Sequence, residues 1–171
     1  MANPKPTTRH ILTIVNIIKI TMPHFGLIAE GLPPDGEALL RAKLHMRGGD
    51  IRRERGEAAD AIASYYDAFS SAMKRHLLSE KLKMKFNLPD VMDISDDEVL
   101  FEVLKENGVI DDSFSREDFD RITCLLDAAI EGREEDMKTD IILLAFENVM
   151  YQLGVVPIIP GELPEEDAVT L

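Results

Sequence analysis

The sequence predicts an all-α protein, an antiparallel four- to five-helix bundle with an apolar N-terminal segment and an extended C-terminal tail. Three observations carry this reading. The stretch Glu57 to Glu80 (EAADAIASYYDAFSSAMKRHLLSE) holds no Pro or Gly, and Ala58, Ala61, Ile62, Tyr65, Phe69, Ala72, Met73 and His76 recur at the three-and-four spacing of one helical stripe. At the helical rise this rod would be roughly 36 Å long, enough to cross a small domain. Further segments with helix-capping residues follow it, and no hairpin or βαβ signal occurs anywhere, so helices packed around the 57–80 rod are the expected architecture.

The chain has 171 residues, 45% of them apolar, which is one domain's worth with material for a sizeable core. Its single cysteine, Cys124, has no intramolecular partner, and the N-terminus lacks a signal-peptide pattern, so a reducing, cytoplasmic home is expected. The most apolar run, Ile11 to Ile20, contains Asn16 and Lys19 and is well short of the ~20 residues a membrane helix needs, so no membrane association is expected. Net charge is −13 and unevenly spread: residues 1–92 carry 14 Lys or Arg against 10 Asp or Glu, whereas residues 93–171 carry 5 against 22. Acidity on that scale argues against nucleic-acid binding over most of the surface, since such binding needs a basic footprint.

In order along the chain, residues 1–36 read as an N-terminal tail and apolar arm, 37–154 as the bundle, and 155–171 as a Pro-rich acidic tail. His10 to Ile20 is β-branched, favouring a strand, while Ile11, Ile14, Val15 and Ile18 also share a helical face. Lacking a second strand to pair with, it is expected as a short helix. Asp35 is placed as N-cap of a helix over about 36–47 with Ala38, Leu39, Ala42 and Met46 inward, and Gly48-Gly49 either ends that helix or permits a close crossing. After the central helix, Leu82, Met84 and Phe86 alternate with Lys81, Lys83 and Lys85, which suggests an extended arm. Ser95 with Glu98 reads as a capping box opening a helix to Asn107, with Val99, Leu100, Val103 and Leu104 inward. Ser115 with Asp118 reads as a second, opening a helix with Phe119, Ile122, Leu126, Ala129 and Ile130 inward and a break near Gly132. The last helix, carrying Met137, Ile141, Leu144, Ala145 and Asn148 on its stripe, is expected to end at Gly154, after which three prolines preclude helix.

Catalytic and metal motifs are sparse. No Glu-x-x-His or His-Glu-x-x-His occurs, a calcium loop opening at Asp93 fails with Glu98 and Leu104 at its sixth and twelfth positions, and Gly48-Gly49 lacks the Lys and Ser/Thr of a phosphate loop. No catalytic residue, metal or cofactor is therefore expected. Cys124 reads as a small buried or boundary residue, His76 as a partner for the dipole at its helix's C-terminus, and Asp111, Asp112, Asp118 and Asp120 as a solvated acidic face. The Arg52, Arg53, Arg55 cluster is a candidate anion contact.

Two resemblances add to this. The spacing of Gly49, Gly56, Ala61, Tyr65 and Ala68 is similar to one tetratricopeptide repeat, in which small residues let two helices touch; one unit alone points to helix-pair packing rather than an array. Over roughly residues 37–153 the chain resembles a HEPN domain, a helical bundle of prokaryotic toxin and RNA-processing systems. Ser64 to Leu78 (SYYDAFSSAMKRHLL) resembles its Tyr-Tyr-x-Ala-Phe helix, Gly108 to Phe114 (GVIDDSF) the loop before its third helix, and Arg133 to Met137 its Arg-x-x-Asp segment. Active members of that family use an Arg followed, after four to six residues, by His. Here Lys138, Thr139 and Asp140 stand where that His belongs, and no Arg in the chain has a His at the spacing. The resemblance thus implies the bundle and a homodimer, with nuclease activity resting only on Arg133 with Lys138 or on Arg52, Arg53 and Arg55. The expected function is a non-catalytic interaction domain that self-associates and binds a protein partner. Its candidate interface is Ile14, Ile18, Lys81, Leu82, Lys83, Met84, Lys85, Phe86, Val156 and Ile158. The alternatives are an RNA-processing nuclease or toxin–antitoxin component with a degenerate site, and a tetratricopeptide-like adaptor for an extended peptide.

Overall fold

Residues 31–90, 93–133, 137 and 142–164 are described by the computed structural model, and every regular element among them is an α-helix. The elements are α1 (Pro34–Glu54), α2 (Ala58–Leu78), α3 (Glu80–Phe86), α4 (Asp97–Glu106), α5 (Arg116–Glu131) and α6 (Leu143–Gln152). The Ile11 to Ile20 run, with Ile14 and Ile18, lies outside the described residues, as do Lys138 and Ile141.

The central helix is where the periodicity put it. On α2, Ala61, Ile62, Tyr65, Ala68, Phe69, Ala72, Met73, His76 and Leu77 are all buried, and only Ala58, in the first turn, departs from the stripe by standing exposed. Phe69 is fully buried at the middle of the stripe. Its ring lies 5.7 Å from Phe114, 6.2 Å from Phe119 and 6.3 Å from Phe146, and Phe101 stacks on Phe119 at 4.6 Å. Aromatic side chains from α2, α4, α5, α6 and the 107–115 loop therefore meet in one cluster.

The helix before it is longer than expected. Pro33 is the N-cap and Pro34 opens α1, since a proline lacks only an N–H that the first turn leaves unpaired. Asp35 is thus inside the first turn, not the cap. Gly48 and Gly49 do not end α1; both are buried within it, and a Cβ at Gly49 would fall 2.6 Å from two carbons of the Tyr65 ring. The glycine permits the close crossing. At that crossing Tyr65 Oη donates to Asp50 Oδ1 at 2.7 Å and Arg52 Nη1 to Ser64 Oγ at 3.2 Å, pairing the end of α1 with the start of α2 in an antiparallel hairpin.

Four further expectations are corrected. Lys81 to Phe86 is helix α3 and not an extended arm: Ser79, in extended backbone, separates it from α2, and Asn87 at φ 52° stops it. Leu82 and Phe86, four apart, face inward and half-buried, while Met84 points away, so the period-two alternation was a helical face sampled at every second position. Ser95 does not cap α4. Its amide and hydroxyl go to Asp93, and Asp96 caps instead, accepting from the amides of Glu98 at 3.0 Å and Val99 at 3.2 Å. The buried face of α4 is Leu100, Phe101 and Leu104, with Val99 exposed. On α5 the Ser115–Asp118 capping box is present, but Ile130 is exposed and Ala128 is buried. Helix α6 begins only at Leu143, Met137 lies outside it, and its buried face is Phe146, Val149 and Met150, leaving Leu144 outward.

Beyond α6 the chain packs back. Val155 and Leu163 are buried, and Glu162 forms an ion pair with Lys43, whose ammonium is carried into the bundle surface on α1. No described helix is long and apolar enough to cross a membrane.

Candidate functional site

The end of the bundle marked by Arg75 and His76 brings together two elements with exposed apolar side chains. Arg75 Nη1 donates to the carbonyl of Leu153 at 3.2 Å, where the last turn of α6 leaves carbonyls unpaired, and so holds the C-terminal ends of α2 and α6 together. Its neighbour His76 is buried; Nδ1 donates to the Ala72 carbonyl at 3.1 Å, and the ring lies 6.1 Å from that of Phe86 on α3. Burial pushes the His76 pKa down to about 4, with the cations Arg75 and Lys85 adding to the shift, so at neutral pH the ring is uncharged. It is therefore a packed neutral ring and not the charged dipole partner the sequence suggested.

On α3 the outward residues are Glu80, Lys81, Met84 and Lys85. Met84 is 78% exposed, Lys85 Nζ sits 4.6 Å above the Phe86 ring, and Lys83 is bound to Glu80 at 2.6 Å. Leu82, Lys83 and Phe86 are half-buried against the bundle. On α6, Leu144 is 79% and Tyr151 66% exposed, seven residues apart and hence on one face. Between them runs an open groove lined by Ser113, Leu144, Ala145, Glu147, Asn148, Tyr151, Val156 and Pro157. Val156, an interface candidate, lies in it half-buried, and Ile158, also half-buried, packs against the core.

A polar network fixes one wall of this groove. Asp111 accepts from the Ser113 amide at 2.9 Å, Gln152 returns from α6 to accept the Asp111 amide at 2.7 Å, and Asn148 Nδ2 donates to Ser113 Oγ at 2.6 Å. Lys105 closes the loop from the other side, donating to the carbonyls of Asp111 and Phe114 and pairing with Asp112 at 3.3 Å. The hydrogen bonds from Ser113 hold the Asp111 carboxyl below its usual range, so the rim stays anionic. Of the acidic group noted in the sequence, Asp118 caps α5 and Asp120 binds Arg116, which also reaches Glu98 at 2.5 Å and Glu102 at 2.6 Å.

Of the cationic candidates, Arg52, Arg53 and Arg55 stand at the C-terminal end of α1 and Arg133 follows α5. Arg52 is bound to Ser64, Arg53 lies 3.8 Å from Asp50, Arg55 is the exposed C-cap of α1, and Arg133 donates to Glu131 at 2.7 Å. Among the described residues no group of three or more His, Cys, Asp or Glu is arranged to hold a metal ion, and Cys124 is exposed rather than buried or at the boundary. An apolar cavity between α2, α5 and α6, walled by Tyr65, Tyr66 and Phe146, is only about 30 Å³, room for a water or two and far below the several hundred Å³ of a ligand pocket. Beside it the half-buried Tyr66 hydroxyl, bonded to Asp97, has its pKa pushed up to about 12, which leaves it a hydrogen-bond donor and not a base.

Sequence reasoning missed the α6 groove. A stripe that begins at Met137 puts Leu144 on the core side, whereas Met137 lies outside the helix; the signal that finds the outward face is the Leu144–Tyr151 spacing taken from Leu143 onward. No protein-family model, no curated protein and no solved structure matches the chain.

Proposed function

We propose that the chain is a non-catalytic helical interaction domain of HEPN-like architecture that acts as a homodimer in the cytoplasm and engages a protein partner. The observation that carries this is the outward placement of Met84, Leu144 and Tyr151 on a chain whose own core is already filled by aromatic side chains. Large apolar groups exposed on a surface are stabilised by burial against another surface. The charge distribution supports the same reading, because the basic first half and strongly acidic second half of one copy attract the opposite halves of another. The hydrogen bond of Arg52 to Ser64 and the ion pairs of Arg53 with Asp50 and of Arg133 with Glu131 weigh against an RNA-cleaving centre built from them. Sedimentation of the full chain at low micromolar concentration tests the proposal. A dimer that weakens in high salt supports it, and a species of 19.2 kDa at both low and high salt overturns it. RNA cleavage without metal that disappears in Arg133→Ala would replace it with the nuclease alternative.

A further inference from the structure

We propose that the dimer is reciprocal: Met84 of each copy, flanked by Lys81 and Lys85, seats in the α6 groove of the other. This rests on the self-association proposed above and specifies its surfaces. Among the described residues Met84 and Leu144 are the two most exposed of the large apolar side chains, at 78% and 79%. A thioether on an unbranched chain fits an irregular apolar surface, such as one of Leu144, Ala145, Val156 and Pro157. The charges match as well. Glu147 lines the groove, and Asp111 and Asp112 stand on the loop that Asn148 and Gln152 tie to it, with Lys105 the one cation of that network. Among the described residues no basic side chain lines the groove itself, whereas the exposed side of α3 presents Lys81 and Lys85 beside Met84, with Glu80 paired to Lys83.

Placement makes the exchange geometrically natural. Consecutive residues of α2 touch both elements, Arg75 through the carbonyl of Leu153 and His76 through the ring of Phe86, so α3 and the Tyr151 end of the groove both lie near the C-terminal end of α2, and the groove runs from there along α6 to Leu144. A two-fold axis near that end sets each ridge against the other copy's groove. An α6-on-α6 pairing would instead face Glu147 with its own copy and leave Met84 in water.

The test uses full-length Met84→Asp and Leu144→Asp chains carrying different tags, alone and mixed, with the wild type alongside. Each variant alone loses both contacts and is expected to dimerise at least about tenfold more weakly than the wild type. The mixture restores one intact contact, from the wild-type Met84 of the second chain into the wild-type groove of the first, and heterodimer is expected where neither variant forms homodimer. Unchanged dimerisation of Met84→Asp, or a mixture that yields no heterodimer, overturns the reciprocal arrangement while leaving self-association standing. A monomeric wild type overturns both. Circular dichroism checks folding, and Tyr151→Asp replaces Leu144→Asp if the latter loses helical signal.

Discussion

Gly49→Ala sets two effects of opposite sign against each other. Within a helix, replacing Gly by Ala ordinarily stabilises by about 1 kcal/mol. At this position the new methyl would lie 2.6 Å from two carbons of the Tyr65 ring and 3.1 Å from a third. The ring has little room to withdraw: it is buried, its hydroxyl is held by Asp50 at 2.7 Å, and its other side meets Phe146 at a centroid distance of 5.5 Å. Overpacking of this kind costs about 1–3 kcal/mol, and a clash with ring carbons belongs at the upper end, so the net expectation is a loss of about 1–2 kcal/mol. Urea denaturation measures it directly. Gly36→Ala is the control, because its nearest neighbours are the Pro33 ring carbons at 3.4 Å, an ordinary contact, and it should be neutral or slightly stabilising. Coupled with Tyr65→Leu, which removes the ring, the Gly49→Ala penalty should shrink. If Gly49→Ala raises the midpoint as Gly36→Ala does, the close crossing of α1 and α2 is refuted.

Three other predictions concern stability. Phe69→Ala empties the centre of the aromatic cluster and should cost about 3–5 kcal/mol, read from the urea midpoint. Asp96→Ala should cost about 1 kcal/mol through loss of the α4 cap, with Ser95→Ala costing less; the reverse order would restore Ser95 as the cap. His76, near 6.5 when unfolded and about 4 in the fold, is a base that the unfolded chain protonates first, so its contribution is complete above pH ~6.5 and is lost as pH falls towards ~4, by about 3 kcal/mol. Comparing wild type with His76→Gln across that window isolates the effect from carboxylate titration, and identical pH profiles would contradict it.

The parts of the fold legible in the sequence are those set by local chemistry. An unbroken three-and-four pattern gave α2 to within two residues, and Ser115 with Asp118 marked the start of α5 because both halves of that cap lie within four positions. What failed depended on contacts distant in the chain. Whether Gly48-Gly49 stops a helix or admits a neighbour is decided by Tyr65, sixteen residues beyond Gly49. Ser79 breaks the α2–α3 run without any Pro or Gly, so the short helix after it read as an arm. Starting α6 too early turned its exposed Leu144 inward and hid the groove, while the polar pair Asn148 and Gln152, four apart, carried no hint that their partners lie on the 107–115 loop.

In the proposed homodimer the exposed apolar side chains of α3 and α6 are buried. Amide hydrogen exchange on the wild-type chain, followed as protein concentration is raised through the association midpoint, tests this burial most directly. Segments 80–88 and 144–157 should gain protection with concentration, while the exposed end of α5, 127–131, should not change. Exchange that is independent of concentration at α3 and α6 would contradict it.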